Sequence, residues 1–368
     1  MRIRDVQDII ERWAPRTIAW EKDNVGLAIG NTETRLRGIL VALDVTERTV
    51  AEAVRRRANL LISHQPLLFR PIRSIIPDNQ TGRCVEALLQ EKIALYSAHT
   101  NLDFTRGGTS FALAAALRLR NVDFLMKSYQ VQKKIVTFVP ADHVDTVMRA
   151  MAKAGAGTIG NYDMCSFRTE GTGTFRGNRE SRPATGQREK FEHMPEIRLE
   201  MVAPEWRVNA VVNAMKAVHP YEEVAYDVLT TENVSNEYGM GIVGELDRPM
   251  ELGSFLSLVK RSLGARALRH TAGTGNRIRR VAACGGSGSD LMDQAVKQEC
   301  DAFVTADVKY HSFHDAAGRI ALIDAGHYET ENPVVTAVVR RLKEEFQRVK
   351  QSIPVYAART STNPIIYV

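Results

Sequence analysis

The first and last thirds of the chain alternate short apolar runs with helical patterns. Three runs have the length of strands, namely RGILVAL at 37–43, NLLIS at 59–63 and IALYS at 93–97, and helical patterns such as TVAEAVRRR and RCVEALLQE lie between them. The alternation returns after Tyr238, with strands predicted near 278–283, 302–306 and 320–325 and helices at 251–263, 290–299 and 333–347. Strands that alternate with helices favour parallel pairing, so both ends predict an α/β fold with mainly parallel sheets.

The middle of the chain contains an internal repeat. Two sets of apolar residues share one spacing, and each set lines one face of a predicted helix: Val144, Val147, Met148 and Met151, then Val208, Val211, Val212 and Met215. A polar stretch at 170–195 separates the copies and predicts a long hairpin connection or a mobile loop. Two strand–helix–strand halves predict a ferredoxin-like domain at 131–231, inserted between the two parts of another domain, 1–130 and 232–368.

Composition and charge narrow the class of protein. Hydrophobic residues make up 44% of the 368 positions and charged residues 25%, as in ordinary globular proteins. No apolar run approaches the ~20 residues of a membrane span, so we expect no membrane partner. The N-terminus lacks the apolar core of a secretory signal, so we expect a cytoplasmic protein. The net charge of +6 is scattered and does not indicate nucleic-acid binding. The four cysteines form no CxxC pair, which argues against a disulfide framework or a zinc ribbon.

Ionisable side chains follow the ends of the predicted strands. They are His64 after LLIS, His99 and Asp103 after IALYS, Asp307 and His311 after AFVTA, and His327 and Glu331 after IALIDAG. Loops at the carboxyl ends of parallel strands converge, and ligands of α/β proteins bind there. Mixed imidazole and carboxylate groups suit Zn²⁺, Mn²⁺ or Fe²⁺ better than Ca²⁺. The pattern predicts a transition-metal site, although any one histidine has a capping or hydrogen-bonding role as its alternative.

Two of these positions have specific alternatives. His327 and Glu331 stand four residues apart before Asn332-Pro333, so they share a helix face if the turn is already helical at His327. Glu331 could instead be an N-terminal helix charge favoured by the dipole. For Asp103 the alternative is an Asx-type turn.

Five motifs in order resemble one known family. SHQPLLF at 63–69, SAHTNLDF at 97–104, WEKDNVGLAIG at 20–30, TADVKYH at 305–311 and GHYETE at 326–331 resemble the GTP cyclohydrolase I type 2 homologue family, also described as Nif3-like dinuclear-metal proteins. The resemblance covers 1–127 and 236–368, and HPYEEVAYDV at 219–228 resembles the CutA- or PII-like insert of longer bacterial members.

The resemblance implies a two-part Nif3-like α/β domain interrupted by the insert. It also implies metal ligands at His64, Asp103, His327 and Glu331, with Zn²⁺ expected first and Mn, Fe, Co or Mg as alternatives. A ring-shaped homohexamer is the assembly that it implies.

Residue 65 departs from the family pattern. The family usually has a second consecutive histidine there, whereas this chain has Gln65. An amide carbonyl is a weaker donor than imidazole for a borderline metal. We therefore predict one tightly bound ion, with the second of the family's two ions bound weakly or not at all.

A glycine-rich loop and three further side chains complete the candidates. Gly285, Gly286, Ser287 and Gly288 join a predicted strand to a helix, so their backbone N–H groups offer a phosphate site, with a tight turn as the equal alternative. His99, Asp307 and His311 are candidate acid–base groups, with structural hydrogen bonding as the alternative.

Two functions from different classes fit this set. The first is a metal-dependent hydrolase acting on a nucleotide or another phosphorylated small molecule. The second is a metal- or nucleotide-responsive binding or regulatory protein with little or no catalysis.

Overall fold

The computed structural model describes residues 1–128 and 131–368. Its strands, numbered in chain order, are β1 Gly26–Ile29, β2 Ile39–Ala42, β3 Leu60–Ser63, β4 Ala94–Ser97, β5 Arg120–Lys127, β6 Gln132–Val139, β7 Phe167–Arg176, β8 Phe191–Pro204, β9 Tyr226–Thr230, β10 Gly239–Glu251, β11 Arg269–His270, β12 Arg277–Ala283, β13 Ala302–Thr305, β14 Ala321–Asp324 and β15 Val355–Ala357. Its α-helices are α1 Ile3–Trp13, α2 Glu47–Arg55, α3 Gln80–Gln90, α4 Thr100–Asp103, α5 Thr109–Ala116, α6 Val144–Lys153, α7 Val208–Val218, α8 Leu252–Leu263, α9 Met292–Lys297, α10 Tyr310–Ala316, α11 His327–Glu331 and α12 Pro333–Arg348. The described helices include none that is both long and apolar enough to cross a membrane.

The first sheet has the order β1-β4-β3-β2-β15 and is mainly parallel, as predicted. The central strands β2, β3 and β4 are buried along their whole length, and most of their residues are apolar, because both faces are covered. Ile39 and Val41 pack with α1 and α12 on one face, whereas Leu40 and Ala42 pack with α2 and α3 on the other. Because β2, β3 and β4 are parallel neighbours, their carboxyl ends lie side by side at one edge of the sheet.

The second sheet has the order β11-β14-β13-β12-β10-β5 and is mixed. Its inner strands β12, β13 and β14 are parallel, but β10 pairs antiparallel with both β12 and β5, and β11 pairs antiparallel with β14. The prediction of mainly parallel pairing is therefore wrong for this sheet. The reason is that β5 and β10 were not recognised as strands. β5 contains charged residues, and β10 contains both glycines and charged residues, so neither forms a continuous apolar run.

The described chain divides into two compact units. Residues 1–127 with 236–368 form the unit that holds both of these sheets, and residues 128–235 form the other. The boundary expected between residues 130 and 131 involves Gln130, which lies outside the described residues.

The second unit has the element order β6-α6-β7-β8-α7-β9 and the antiparallel sheet order β7-β8-β6-β9. This is a split βαβ arrangement. The repeated apolar sets on α6 and α7 do line the unit's core, with Val208 only partly buried at its margin. The polar stretch at 170–195 is the tip of a long hairpin, because β7 and β8 extend into it from both sides.

Candidate metal centre

The predicted side chains of the first unit meet where strands of its two sheets end. His64 and Gln65 directly follow β3, and the short helix α4 after β4 carries Asp103. From the second sheet, α11 follows β14 and carries His327 and Glu331. Contacts of His64 and Gln65 with Glu331 join the two sets, so the cluster is built from both sheets.

His64 and Asp103 present two buried atoms without hydrogen-bond partners among the described residues, Nε2 of the imidazole and Oδ1 of the carboxylate. These atoms lie 3.5 Å apart, and Glu331 Oε2 lies 3.7 Å from the same nitrogen. Both distances are too long for normal hydrogen bonds. The Ala98 carbonyl accepts from His64 Nδ1 at 2.8 Å, which orients the imidazole and directs Nε2 at the carboxylates.

His327 and Glu331 lie on one helix face, as their spacing predicts. His327 Nε2 is 3.0 Å from Glu331 Oε1, and His327 Nδ1 donates to Asp307 Oδ2 at 2.7 Å. Asp307 also accepts from the Ser287 hydroxyl at 2.6 Å. Asp307 therefore positions the His327 ring and lies next to the cluster.

Gln65 contacts the same carboxylate. Its amide nitrogen donates to Glu331 Oε2 at 2.7 Å and lies 3.2 Å from His327 Nε2. An ionised carboxylate can only accept hydrogen bonds, so the NH₂ end of the Gln65 amide, and not its carbonyl oxygen, must face Glu331. An NH₂ group has no lone pair to offer a metal, and in this orientation Gln65 holds the Glu331 carboxylate in place.

The electrostatics of the cluster favour positive charge. Burial alone would lower the pKa of His64, but the carboxylates of Asp103 and Glu331 outweigh burial and raise that pKa to about 9. Hydrogen bonding to Glu331 is the main cause that raises the pKa of His327 to about 10. The neighbouring carboxylates therefore stabilise a cation at this position.

The donor types of the cluster match a divalent cation. Within residues 1–128 and 131–368, no three His, Cys, Asp or Glu side chains are spaced to hold an ion. The side chains contact one another directly, at the 3.0–3.7 Å distances given above. Two buried polar atoms without partners normally cost ~1–3 kcal/mol each, a cost that a shared cation removes. Imidazole nitrogen with carboxylate oxygen matches Zn²⁺, Mn²⁺ or Fe²⁺.

His99 is held beside the cluster by Asp23, a residue that strand-end reasoning did not find. The His99 and His64 ring centroids are 5.4 Å apart, and His99 Nδ1 donates to Asp23 at 2.9 Å. Burial alone would raise the pKa of Asp23, but hydrogen bonds from His99 and Thr100 outweigh it and lower that pKa to about 2. An ionised Asp23 keeps the proton on Nδ1 and leaves His99 Nε2 free to accept one. The only sequence signal was the position of Asp23 within WEKDNVGLAIG.

Asp44 and Glu329 are two more carboxylates near the cluster that sequence reasoning missed. Asp44 follows β2 and accepts from the Thr362 hydroxyl, and Glu329 accepts from the Asn363 amide at 2.9 Å. Burial, together with the charge of Glu331, raises the pKa of Asp44. Both carboxylates are thereby tied to the C-terminal segment of the chain.

The comparisons with known proteins cover the whole chain. The Duf34/NIF3 (NGG1p interacting factor 3) family profile matches residues 1–364. The chain belongs to the Duf34/NIF3 family. It is 36% identical over its full length to the full-length GTP cyclohydrolase 1 type 2 homolog of Halalkalibacterium halodurans. It is 35% identical to the Bacillus subtilis protein of the same name, over 99% of this chain and 98% of that one.

Solved structures of the Duf34/NIF3 family have the same fold. The Bacillus cereus protein related to NIF3 superimposes with a TM-score of 0.86 at 37% identity, over 100% of this chain and 99% of that one. The Staphylococcus aureus protein SA1388 gives 0.81 at 31% identity with the same coverage. The α/β architecture described above is therefore that of the family.

The glycine-rich loop of this Duf34/NIF3 chain supports Glu331 and has few free N–H groups. Gly286 N–H donates to the Thr330 hydroxyl at 3.0 Å and Gly288 N–H to the Thr305 hydroxyl at 2.9 Å, while Gly285 N–H is 3.4 Å from Ser110 Oγ. The phosphate prediction named Gly285, Gly286, Ser287 and Gly288, and side chains of the protein already take three of these four backbone N–H donors, those of the glycines. The tight turn, its stated alternative, fits better.

His311 is not brought to the cluster. It lies exposed on α10, where its ring packs edge-on against Tyr310 at 5.6 Å between centroids. None of its contacts in the described part of the chain is with a cluster residue. Of the three acid–base candidates, His99 and Asp307 lie beside the cluster and His311 does not.

Proposed function

We propose that the cluster binds one divalent metal ion and that the protein is a metal-dependent hydrolase acting on a nucleotide or another phosphorylated small molecule. The observation that carries the proposal is the pair of buried atoms without partners, His64 Nε2 and Asp103 Oδ1. We expect Zn²⁺ first, with Mn²⁺, Fe²⁺, Co²⁺ or Mg²⁺ as alternatives. A bound ion supplies Lewis acidity.

The ligands in this proposal are His64, Asp103 and Glu331, with His327 beside them. Gln65 orients Glu331 by its 2.7 Å hydrogen bond, and Asp307 orients His327 by its 2.7 Å hydrogen bond. Ligands whose other atoms are held by hydrogen bonds keep their orientation when a cation binds, which strengthens binding. Gln65 takes the place of a donor to a second ion, so the proposal is for one ion.

His99 is the acid–base group in this proposal. Asp23 holds the proton on Nδ1, so Nε2 is the atom that takes a proton from the attacking nucleophile or returns one to the leaving group. The side chain is 13% exposed, which lets a small substrate reach it while excluding most water. Phe69, with its ring edge-on to His99 at 6.1 Å and about half exposed, covers one side.

The substrate class in this proposal follows from the names of the relatives. The curated relatives carry the name GTP cyclohydrolase 1 type 2 homolog, and a nucleotide is the substrate that this name indicates for them. A fold and a metal site do not define a substrate. The same proposal includes a cytoplasmic location and a CutA- or PII-like insert. It also includes the homohexamer that the resemblance implies.

Gln65 also favours the second candidate, a metal- or nucleotide-responsive binding protein with little catalysis. Its amide occupies the space between Glu331 and His327 that a second ion would use. In two-metal hydrolases the pair of ions stabilises both the attacking and the leaving oxygen atom of the reaction. Loss of one ion therefore lowers the rate of catalysis more than it lowers the affinity for the substrate.

Metal content and turnover of three proteins separate the candidates. Full-length wild type, Asp103→Asn and His99→Gln are dialysed, loaded with Zn²⁺, Mn²⁺ or Co²⁺, and assayed with nucleoside triphosphates and phosphoesters. The hydrolase proposal expects turnover by wild type, loss of metal and turnover in Asp103→Asn, and retained metal with lost turnover in His99→Gln. Retained metal without turnover in wild type supports the binding protein. Wild type that retains no metal refutes the hydrolase and the metal-responsive form of the binding protein.

A further inference from the structure

A cleft of about 500 Å³ lies between α2 and the segment that follows β15, and it is lined by four arginines. Arg48, Arg55 and Arg56 come from α2 and its C-terminal cap, and Arg359 comes from the C-terminal segment. Positions 48, 55 and 56 are spaced i, i+7 and i+8, so they project from one helix face. None of these arginines belongs to the metal cluster.

Three of the four guanidinium groups are unpaired. Arg48, Arg55 and Arg359 are exposed, and their side chains form no ion pair or hydrogen bond with any residue in the described ranges 1–128 and 131–368. Arg56 lies 3.9 Å from Glu52 and stacks over the Tyr356 ring at 5.0 Å. Four arginines and one glutamate give the cleft a formal charge of +3.

Glu52 does not neutralise the unpaired arginines, because its own hydrogen bonds are taken up elsewhere. It is buried, and it accepts from the backbone N–H groups of Arg359 and Thr360 and from the Thr360 hydroxyl at 2.9–3.1 Å. These bonds secure the C-terminal segment against α2. They place Arg359 opposite the arginines of the helix.

We propose that this cleft binds an oligophosphate, either the phosphate chain of a nucleotide or inorganic triphosphate. Guanidinium groups present paired N–H donors that match phosphate oxygens, and several of them together repel one another until an anion binds. A cleft of this volume is in the ordinary range of small-molecule sites. A ligand of several adjacent phosphates satisfies more of the arginines than one phosphate does.

The cleft is connected to the metal cluster through the chain. Three residues beyond Arg359, Thr362 donates to Asp44, and the next residue, Asn363, donates to Glu329 on α11. The C-terminal segment thus contacts the oligophosphate cleft at one end and two carboxylates near the cluster at the other. The oligophosphate site is nevertheless separate, and it does not depend on the proposed hydrolase function.

Calorimetric titration of the metal-free full-length protein in EDTA tests the proposal, with inorganic triphosphate and ATP as the two probes. The cleft variant is Arg48→Gln with Arg55→Gln. The control is Arg57→Gln with Arg340→Gln, which removes the same charge from exposed arginines outside the cleft. We expect both probes to bind wild type and the control alike, and the cleft variant at least about tenfold more weakly.

Other outcomes overturn the proposal. They are an equal loss in both double variants, or the absence of binding of both probes to wild type. Cleft-dependent binding of only one probe would support the proposal and identify which of the two sources, nucleotide or inorganic triphosphate, the cleft takes. Tighter, cleft-dependent binding of a duplex oligonucleotide would show a nucleic-acid surface instead. If circular dichroism shows that the cleft variant is unfolded, Arg359→Gln alone replaces it, with the same expected direction. Asp103→Asn should bind both probes as wild type does, which separates this site from the metal cluster.

Discussion

Gln65 donates its side-chain amide to Glu331 Oε2 across 2.7 Å, linking the loop after β3 in the first sheet to α11 after β14 in the second. The same nitrogen lies 3.2 Å from His327 Nε2. The Gln65 amide therefore contacts both Glu331 and His327, the two side chains of α11 that belong to the proposed metal centre. Residue 65 is where the chain has glutamine in place of the histidine expected from the family pattern. The contact of Gln65 with Glu331 is therefore the reason that we expect one bound ion and not two.

Gln65→His should raise the metal content from one to two ions per chain. An imidazole at this position replaces an NH₂ donor with a nitrogen lone pair next to Glu331 and His327. Plasma mass spectrometry of dialysed protein measures the content. Gln65→Asn, which keeps the amide, is the control and should remain at one ion. Two ions in wild type, or one in Gln65→His, would contradict the interpretation of this contact.

Asp103→Asn should abolish stabilisation of the protein by metal. Ligand binding at 100 times its Kd adds about 2.7 kcal/mol to the free energy of unfolding, and the buried Asp103 Oδ1 is one of the two atoms that we expect to share the ion. Thermal unfolding with and without Zn²⁺ measures the difference in Tm. The exposed Glu21→Gln variant should keep the full metal-dependent shift. A shift of wild-type size in Asp103→Asn would remove that residue from the ligand set.

The inner strands of the two sheets, β10 excepted, were predictable because most of their residues are apolar and buried. β2, β3, β4, β12, β13 and β14 all lie within predicted strands or within one residue of them. β5 and β10 were not predicted, since their exposed charged residues and glycines resemble loop composition. Strand direction also could not be derived from periodicity, and so the mixed pairing of the second sheet was missed.

The candidate site was predictable as far as it follows strand ends. His64, Asp103, His327 and Glu331 do meet, because the sequence places each just after a strand of its sheet. Asp23 was missed since it contacts His99 from 76 residues away, in a loop that no strand pattern marks. The orientation of the Gln65 amide depends on Glu331, a contact 266 residues apart that no local pattern contains.

Gly286→Ala should weaken metal binding by displacing Glu331. The backbone at Gly286 has a φ of +65°, and a Cβ there would overlap Glu331 Oε1. The left-handed backbone alone costs an alanine about 1 kcal/mol, so a control must separate strain from displacement. Gly264→Ala provides it, because Gly264 has a φ of +67° with no atom within 4 Å of a built Cβ.

Both glycine variants should lose similar stability from strain, whereas only Gly286→Ala should lose metal affinity, by about tenfold or more. Titration with a competing chelator measures the affinity, and urea unfolding measures the stability. Equal metal affinity in the two variants would show that the loop after β12 does not position Glu331.

Asp23→Asn should destabilise the protein near neutral pH but not in acid. The pKa of Asp23 is about 2 in the folded protein against 3.8 for the free side chain, and its side chain is only 1% exposed. A lowered carboxyl pKa contributes stability above pH 3.8, and this contribution is lost as the pH falls toward 2. The shift corresponds to about 2 kcal/mol at pH 7. Urea unfolding of wild type and variant at pH 7, 4 and 2.5 should give nearly the same difference at pH 7 and pH 4 and a much smaller difference at pH 2.5. A difference in stability that stays constant with pH would mean that the ionised carboxylate does not hold His99, and the proton on Nδ1 would then need another partner.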